Sequence, residues 1–281
     1  MITPATTPDA LTIDRLRTKT AALAPQWHVE NIDHFEYLPG GYSNRNYRFD
    51  YNMQTYVLRV PTHAAPYVDR QHEYSWYQRM PANVGVQPVS LDWTTGLMIS
   101  PWVNGVLLAQ SDPMPELSDL AAYVKTLHRA LPSANRAYNV EVIAAQYLQT
   151  PISEKKPIAE PSVPALTCHN DLNPWNILIT DDGWVTLDWE FVGENDPLFD
   201  VVALHQGLGL PQQELQDFTR LYVDHWSDQI EQRLHRALES FWIREMSWAH
   251  YQISIGNIRD EILLQKISAE EALAAIGQRQ M

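Results

Sequence analysis

Apolar and polar residues alternate in the first third of the chain and recur at helical spacing in the last third. Leu11, Ile13, Leu16 and Leu23, after Thr7-Pro8-Asp9, predict a leading helix over 9–24. Phe35-Glu36-Tyr37-Leu38, Asn46-Tyr47-Arg48-Phe49 and Thr55-Tyr56-Val57-Leu58-Arg59-Val60 predict three strands, broken by Pro39-Gly40-Gly41 and turned at Asn52-Met53-Gln54. Val68, Tyr74, Tyr77 and Met80 mark a helix over 68–80. Strands over 84–91 and 96–100 would complete a five-stranded sheet.

Leu117, Leu120, Ala121, Val124 and Leu127-His128 give an amphipathic helix over 116–131, and a short helix follows over 140–149. The four prolines between Pro151 and Pro164 predict a loop. Ile177-Leu178-Ile179 and Trp184-Val185-Thr186-Leu187 flank Asp181-Asp182-Gly183 as a hairpin. Beyond Asp200 the pattern is helical, over 201–207, 211–227, 229–258 and 268–278. The expected fold is α+β and two-lobed, with a small antiparallel sheet in residues 1–100 and a mainly helical lobe in 101–281.

The candidate chemistry is concentrated between Thr167 and Asp200. His169-Asn170-Asp171-Leu172 opens a loop, Asn176 follows Asp171 by five residues, and Asp188 closes the second predicted strand. This is the kinase spacing H-x-D-x-x-x-x-N, strand, turn, strand, Asp. In that pattern the first Asp orients and deprotonates the attacking hydroxyl, while the Asn and the later Asp hold Mg2+. Asp171 is thus the candidate base, with Asn176 and Asp188 as metal ligands and His169, in the same loop, as a further catalytic candidate. Asp200, at a predicted helix start, is placed to brace that loop. Cys168 reads as a small core residue and His128 as structural.

The glycine pair gains meaning from its order before a cationic strand and this loop. Gly40 and Gly41 permit close backbone approach to ATP phosphates, and Ser43 and Asn44 can donate hydrogen bonds to them. Arg59 stands where protein kinases carry the phosphate-binding lysine, and Glu73 in the next helix is its expected partner.

A net charge of −14 argues against a nucleic-acid backbone and suits a cationic substrate. The single cysteine excludes an internal disulfide and any multi-cysteine zinc site. No apolar run approaches a membrane span, and the N-terminus lacks a basic start followed by an apolar block. A cytoplasmic protein with no membrane partner is expected.

The Thr167–Asp200 stretch resembles the aminoglycoside phosphotransferase superfamily, which carries a protein-kinase-like fold but phosphorylates small molecules. Asp188-Trp189-Glu190-Phe191, Gly-Gly-Tyr-Ser-Asn at 40–44 and the strand arginine Arg59 resemble its choline, ethanolamine and thiamine kinase branch. The resemblance implies ATP and Mg2+ as cofactors. It makes Pro101-Trp102-Val103-Asn104-Gly105 similar to the hinge whose backbone meets adenine, with Trp102 beside it. It also implies an aromatic box for a quaternary ammonium in the C-terminal helices. Phe241, Trp248, Gln252 and Ile255 fall on one helix face, and Trp242 lies about 120° from Trp248. Trp242 and Trp248 are the box candidates. Glu190, two residues beyond the metal aspartate, is a candidate counter-charge. The expected substrate is a small cationic alcohol, choline first, then ethanolamine or thiamine. An aminoglycoside kinase, a homoserine kinase and an inactive kinase-like binding module are the alternatives.

Overall fold

A computed structural model describes residues 12–150 and 165–279. The chain divides into two compact units, Met1–Gly105 and Val106–Met281.

The first unit opens with helix α1 (Ile13–Leu23), capped by the Thr12 hydroxyl, which accepts from Arg15 N at 3.4 Å. The expected start at residues 9–11 lies outside the described residues. Strands β1 (Ile32–Leu38), β2 (Asn44–Tyr51) and β3 (Gln54–Pro61) follow. Helix α2 (Arg70–Tyr77) comes next, then β4 (Ser90–Leu91) and β5 (Met98–Pro101). The five strands form one antiparallel sheet in the order β1-β2-β3-β5-β4. Asn52 (φ 48°) and Met53 (φ 62°) make the two-residue turn between β2 and β3, and positive φ at both central positions matches the twist of the flanking strands. Leu16, Ile32, Phe49, Leu58 and Ile99 form the buried core between α1 and the sheet. The strand expected over 84–91 shrinks to Ser90–Leu91. Gly85 and Pro88 interrupt it, and proline cannot donate to a ladder.

The second unit begins with β6 (Val106–Leu107), then α3 (Leu117–Ala130) and α4 (Val140–Tyr147). The loop expected over 151–164 lies outside the described residues. Strand β7 (Leu166–Cys168) leads into the candidate loop, and β8 (Ile177–Thr180) and β9 (Gly183–Thr186) form the predicted hairpin. Strand β10 (Gly193–Asn195) pairs antiparallel with β7. Helices α5 (Leu198–Gly207), α6 (Glu214–Tyr222), α7 (Asp228–Ser254) and α8 (Asp260–Arg279) complete the unit. The helix expected over 229–258 stops four residues early, because Gly256 takes the left-handed conformation (φ 87°) that ends helices. The last helix starts eight residues earlier than its apolar pattern suggested, with Asp260 and Glu261 favouring its N-terminal end.

Candidate active site

The loop after β7 is held from below by one carboxylate. Asp200, in the first turn of α5, accepts from the backbone N–H groups of His169 and Asn170, each at 2.8 Å. His128 of α3 donates to the same carboxylate from Nε2 at 3.0 Å, and the Tyr222 hydroxyl lies 2.9 Å from its Nδ1. Burial pushes the Asp200 carboxyl up, but the His128 hydrogen bond and charge, with the loop N–H, outweigh that and hold it below the ordinary range.

Asn170 takes φ 63° and sends its amide nitrogen to the carbonyls of Cys168, Phe191 and Gly193, all at 3.1 Å. Its Oδ1 accepts from Asn195 at 2.8 Å. This one buried side chain therefore ties the loop to β7 and β10. His169 is fully buried, and both ring nitrogens are engaged by backbone: Nδ1 accepts from Asp171 N at 3.2 Å and Nε2 donates to Leu187 O at 2.8 Å. Its geometry suits holding the loop rather than moving a proton, which departs from its placement among the catalytic candidates. Trp189 packs against it at 4.8 Å, fully buried.

Asp171 keeps 25 % of its side-chain surface exposed. Asn176 donates to its Oδ2 at 3.0 Å and Asn173 to the same oxygen at 3.3 Å. The Asn176 amide nitrogen also reaches Asp171 O at 3.0 Å, so its own Oδ1 is the atom left to offer a cation. Leu187 N donates to Asn176 O at 2.8 Å, which ties the residue before Asp188 to Asn176. Asp188 takes φ 57°, a conformation uncommon outside glycine that turns the chain away from β9.

Two residues that sequence reasoning missed complete this surface. Arg244 of α7 donates from Nη1 to Asp171 Oδ1 and to Asn170 O, each at 3.0 Å. Its Nη2 pairs with Glu245 at 2.5 Å, and Gln265 of α8 donates to Glu245 at 2.7 Å. Burial raises the Glu245 carboxyl, and the Arg244 charge opposes that. The available signal was an arginine on the helix face shared by Phe241 and Trp248; its guanidinium lies 5.6 Å from the Phe199 and Phe241 rings.

Glu190 is buried. The Tyr147 hydroxyl is pushed well above its usual range by burial and the neighbouring Tyr138, with Arg244 opposing and Glu190 and Asp171 adding to the rise. Tyr147, Glu190, Arg244 and Asp171 thus share one electrostatic neighbourhood, and the Tyr251 ring lies 5.5 Å from that of Tyr147. Trp248 is half-buried on α7, and Trp242 packs edge-on against Phe241 at 5.0 Å.

In the first unit, Arg59 of β3 and Glu73 of α2 form a buried two-pronged pair, Nη1–Oε1 2.6 Å and Nη2–Oε2 3.0 Å. Arg70 adds a contact of 2.7 Å to Glu73. Burial alone would raise the Glu73 carboxyl, but Arg59 and Arg70 hold it below its ordinary range. Gly40 takes φ 130°, and a Cβ on Gly41 would collide with the carbonyl of Asn44, so this turn needs both glycines. Ser43 follows them, its carbonyl accepting from Thr62 N at 3.0 Å, and Asn44 is buried at the start of β2. Trp102 lines a cavity of about 390 Å³ with Arg48, Gln54, Thr55 and Asn104. The Arg48 guanidinium lies 5.0 Å from the Trp102 ring.

Comparison with known proteins sets this geometry in a family. A model of the phosphotransferase enzyme family matches residues 34–139 and 107–242. Protein LicA of Haemophilus influenzae is 27% identical over 188 residues, 59% of this chain and 56% of that protein. This chain thus spans little more than half the length of that relative. Among solved structures, a choline/ethanolamine kinase family protein from Mesorhizobium loti superposes with a TM-score of 0.72 at 19% identity, covering 94% of each chain. Choline kinase LicA from Streptococcus pneumoniae superposes with a TM-score of 0.73 at 18% identity, over 93% of this chain and 98% of that one. These likenesses show a shared kinase-like fold. The family match spans most of the chain, and the chain belongs to the phosphotransferase enzyme family.

Proposed function

We propose that this phosphotransferase moves the γ-phosphoryl group of ATP to the primary hydroxyl of a small cationic alcohol, choline first, with ethanolamine and thiamine next. The observation that carries the transfer is the Asp171 carboxylate, held at 3.0 Å by Asn176 and still partly open to solvent. A base of this kind must be both fixed and reachable. Asp171 orients the acceptor hydroxyl and takes its proton as the oxygen attacks phosphorus.

The donor set suits Mg2+. Asn176 has committed its amide nitrogen to Asp171, which leaves a carbonyl oxygen, and Asp188 supplies a carboxylate; hard oxygen ligands are what this ion prefers. Bound there, Mg2+ would neutralise charge on the transferred phosphoryl group. Arg59, fixed by Glu73, is the proposed phosphate contact, with Gly40, Gly41, Ser43 and Asn44 as the covering turn and Trp102 beside the base.

Choline is favoured by two lines of support. LicA from Streptococcus pneumoniae is named a choline kinase, and a curated relative, Protein LicA of Haemophilus influenzae, carries the same name. Glu190 and Tyr147 share the electrostatic surroundings of Asp171, and the Tyr251 ring lies 5.5 Å from that of Tyr147. A quaternary ammonium offers no hydrogen bond, so aromatic faces and carboxylates are the groups that can hold it. Trp248 and Trp242 are proposed for the same role from α7.

The test is ADP release by the purified protein with Mg-ATP against choline, ethanolamine, thiamine, homoserine and kanamycin. Saturable turnover on choline, lost in Asp171→Asn, is expected. Turnover on kanamycin alone would replace the cationic alcohol with an aminoglycoside. A spectinomycin phosphotransferase shares the fold at a TM-score of 0.59, so that arm is a real alternative.

A further inference from the structure

We infer that Arg244 is a positioning residue for phosphoryl transfer, selecting which oxygen of Asp171 meets the acceptor hydroxyl. The inference rests on the proposed role of Asp171 as base. A carboxylate oxygen has two lone-pair directions. Both on Oδ2 are taken, by Asn176 at 3.0 Å and Asn173 at 3.3 Å. Oδ1 has one donor, Arg244 at 3.0 Å, and keeps one direction open. The acceptor hydroxyl therefore meets Oδ1. The acceptor O–H bond breaks and its proton goes to Oδ1. Its electron pair forms the new O–P bond, and the bond from phosphorus to the leaving diphosphate oxygen breaks with that oxygen keeping the pair.

Arg244 is itself fixed. Nη1 bridges Asp171 Oδ1 and Asn170 O, and Nη2 is pulled by Glu245, which Gln265 of α8 holds at 2.7 Å. The Phe199 and Phe241 rings flank the guanidinium at 5.6 Å each. A planar fork with this many anchors has one orientation, and lysine cannot reproduce it. The chain Gln265–Glu245–Arg244–Asp171 thus carries the placement of α7 and α8 to a single carboxylate oxygen.

The test compares Arg244→Lys, Arg244→Ala and the double variant Arg244→Gln/Glu245→Gln with wild type. The double variant removes both buried charges together, so it keeps a folded protein available if a single variant collapses. ADP release is measured per folded molecule in two arms, with choline and with water alone as acceptor, and nucleotide affinity is measured directly by ATP titration. The expected result is a fall in kcat of about 10- to 100-fold, the usual cost of misplacing a catalytic group. ATP affinity should stay within about twofold, since Arg244 makes no contact that the nucleotide role requires. Added millimolar guanidinium should restore part of the Arg244→Ala rate and none of the Asp171→Asn rate. Unchanged kcat in folded variants overturns the inference, as does a loss of total activity that a smaller folded fraction accounts for in full. A silent choline arm with an active water arm sinks the acceptor reading and still tests Arg244. Silence of wild type in both arms sinks the transfer reading and Arg244's role with it.

Discussion

Asp200 and His128 share a 3.0 Å hydrogen bond in the interior of the second unit, and through it α3 and α5 grip the loop that carries Asp171. Asp200 also accepts two backbone N–H groups of that loop, and it is fully buried. Asp200→Ala should cost about 3–5 kcal/mol, because it strands two buried amides and an imidazole at once. Asp200→Asn should also destabilise, since its NH₂ would face a donor where the carboxylate accepted on both oxygens. Urea denaturation of each variant measures this, and a loss under about 1 kcal/mol for Ala would mean that other contacts hold the loop. The Asp200 carboxyl lies below its ordinary range, so its contribution is present above about pH 3.9, the unfolded value, and is lost as pH falls through the lower folded value.

His205 sets a second, milder acid limb. Its Nε2 donates to Pro211 O at 3.2 Å and its Nδ1 accepts from Gln206 at 2.9 Å, so the folded chain wants it neutral. Burial lowers its pKa to about 4, with the Pro211 carbonyl partly opposing. The unfolded chain protonates it near pH 6.5. Stability from this residue is therefore complete above about pH 6.5 and erodes as pH falls toward about 4. In a series of melting temperatures across that window, His205→Gln should show a shallower slope than wild type. An identical slope would assign the limb to other groups.

Arg59 and Glu73 separate stability from function. Glu73→Gln should destabilise the first unit by about 3–5 kcal/mol, because Arg59 and Arg70 would lose their shared buried counter-charge. The double variant Arg59→Met/Glu73→Leu should recover part of that stability, since it removes the fully buried pair together and leaves only the more exposed Arg70 without its Glu73 contact. It should not recover nucleotide use. Loss of a charged phosphate contact is worth about 1.5–3 kcal/mol, so the apparent KM for ATP should rise about tenfold or more. A stable double variant with unchanged KM would free Arg59 from the phosphate role.

The residues around Asp171 differ in how they could be read. Asp171, Asn176, Asp188 and Asp200 were visible because transfer chemistry demands those side chains in a fixed order within one short stretch, a loop, a hairpin and a helix start. Arg244 and Glu245 were not, because Arg244 is 73 positions from Asp171 and helix periodicity names a face without naming what lies across from it. An arginine between Phe241 and Trp248 reads as a helix-surface charge until its partner is seen. The pairing of β7 with β10 was hidden for a related reason: three-residue strands carry too few alternations to register as a pattern. The ends of α7 and α8 turned on single residues, Gly256 and Asp260, whose effect on a boundary outweighs many apolar positions.

Asp171→Asn separates a base from a metal or nucleotide ligand. The substitution keeps the shape and leaves an oxygen for Arg244, but its NH₂ would oppose the Asn176 amide that now donates at 3.0 Å. It also removes the site that takes the acceptor proton. Transfer should fall by about 10²–10⁴-fold, the range supplied by a positioned general base. ATP affinity, followed by direct titration in the presence of Mg2+, should change little, because the proposed nucleotide and metal contacts belong to Arg59, Asn176 and Asp188. Asp188→Ala makes the opposite pattern, with Mg2+-dependent nucleotide binding lost first. If Asp171→Asn lost nucleotide affinity in step with rate, Asp171 would join Asp188 as a metal ligand, and the acceptor proton would need another home.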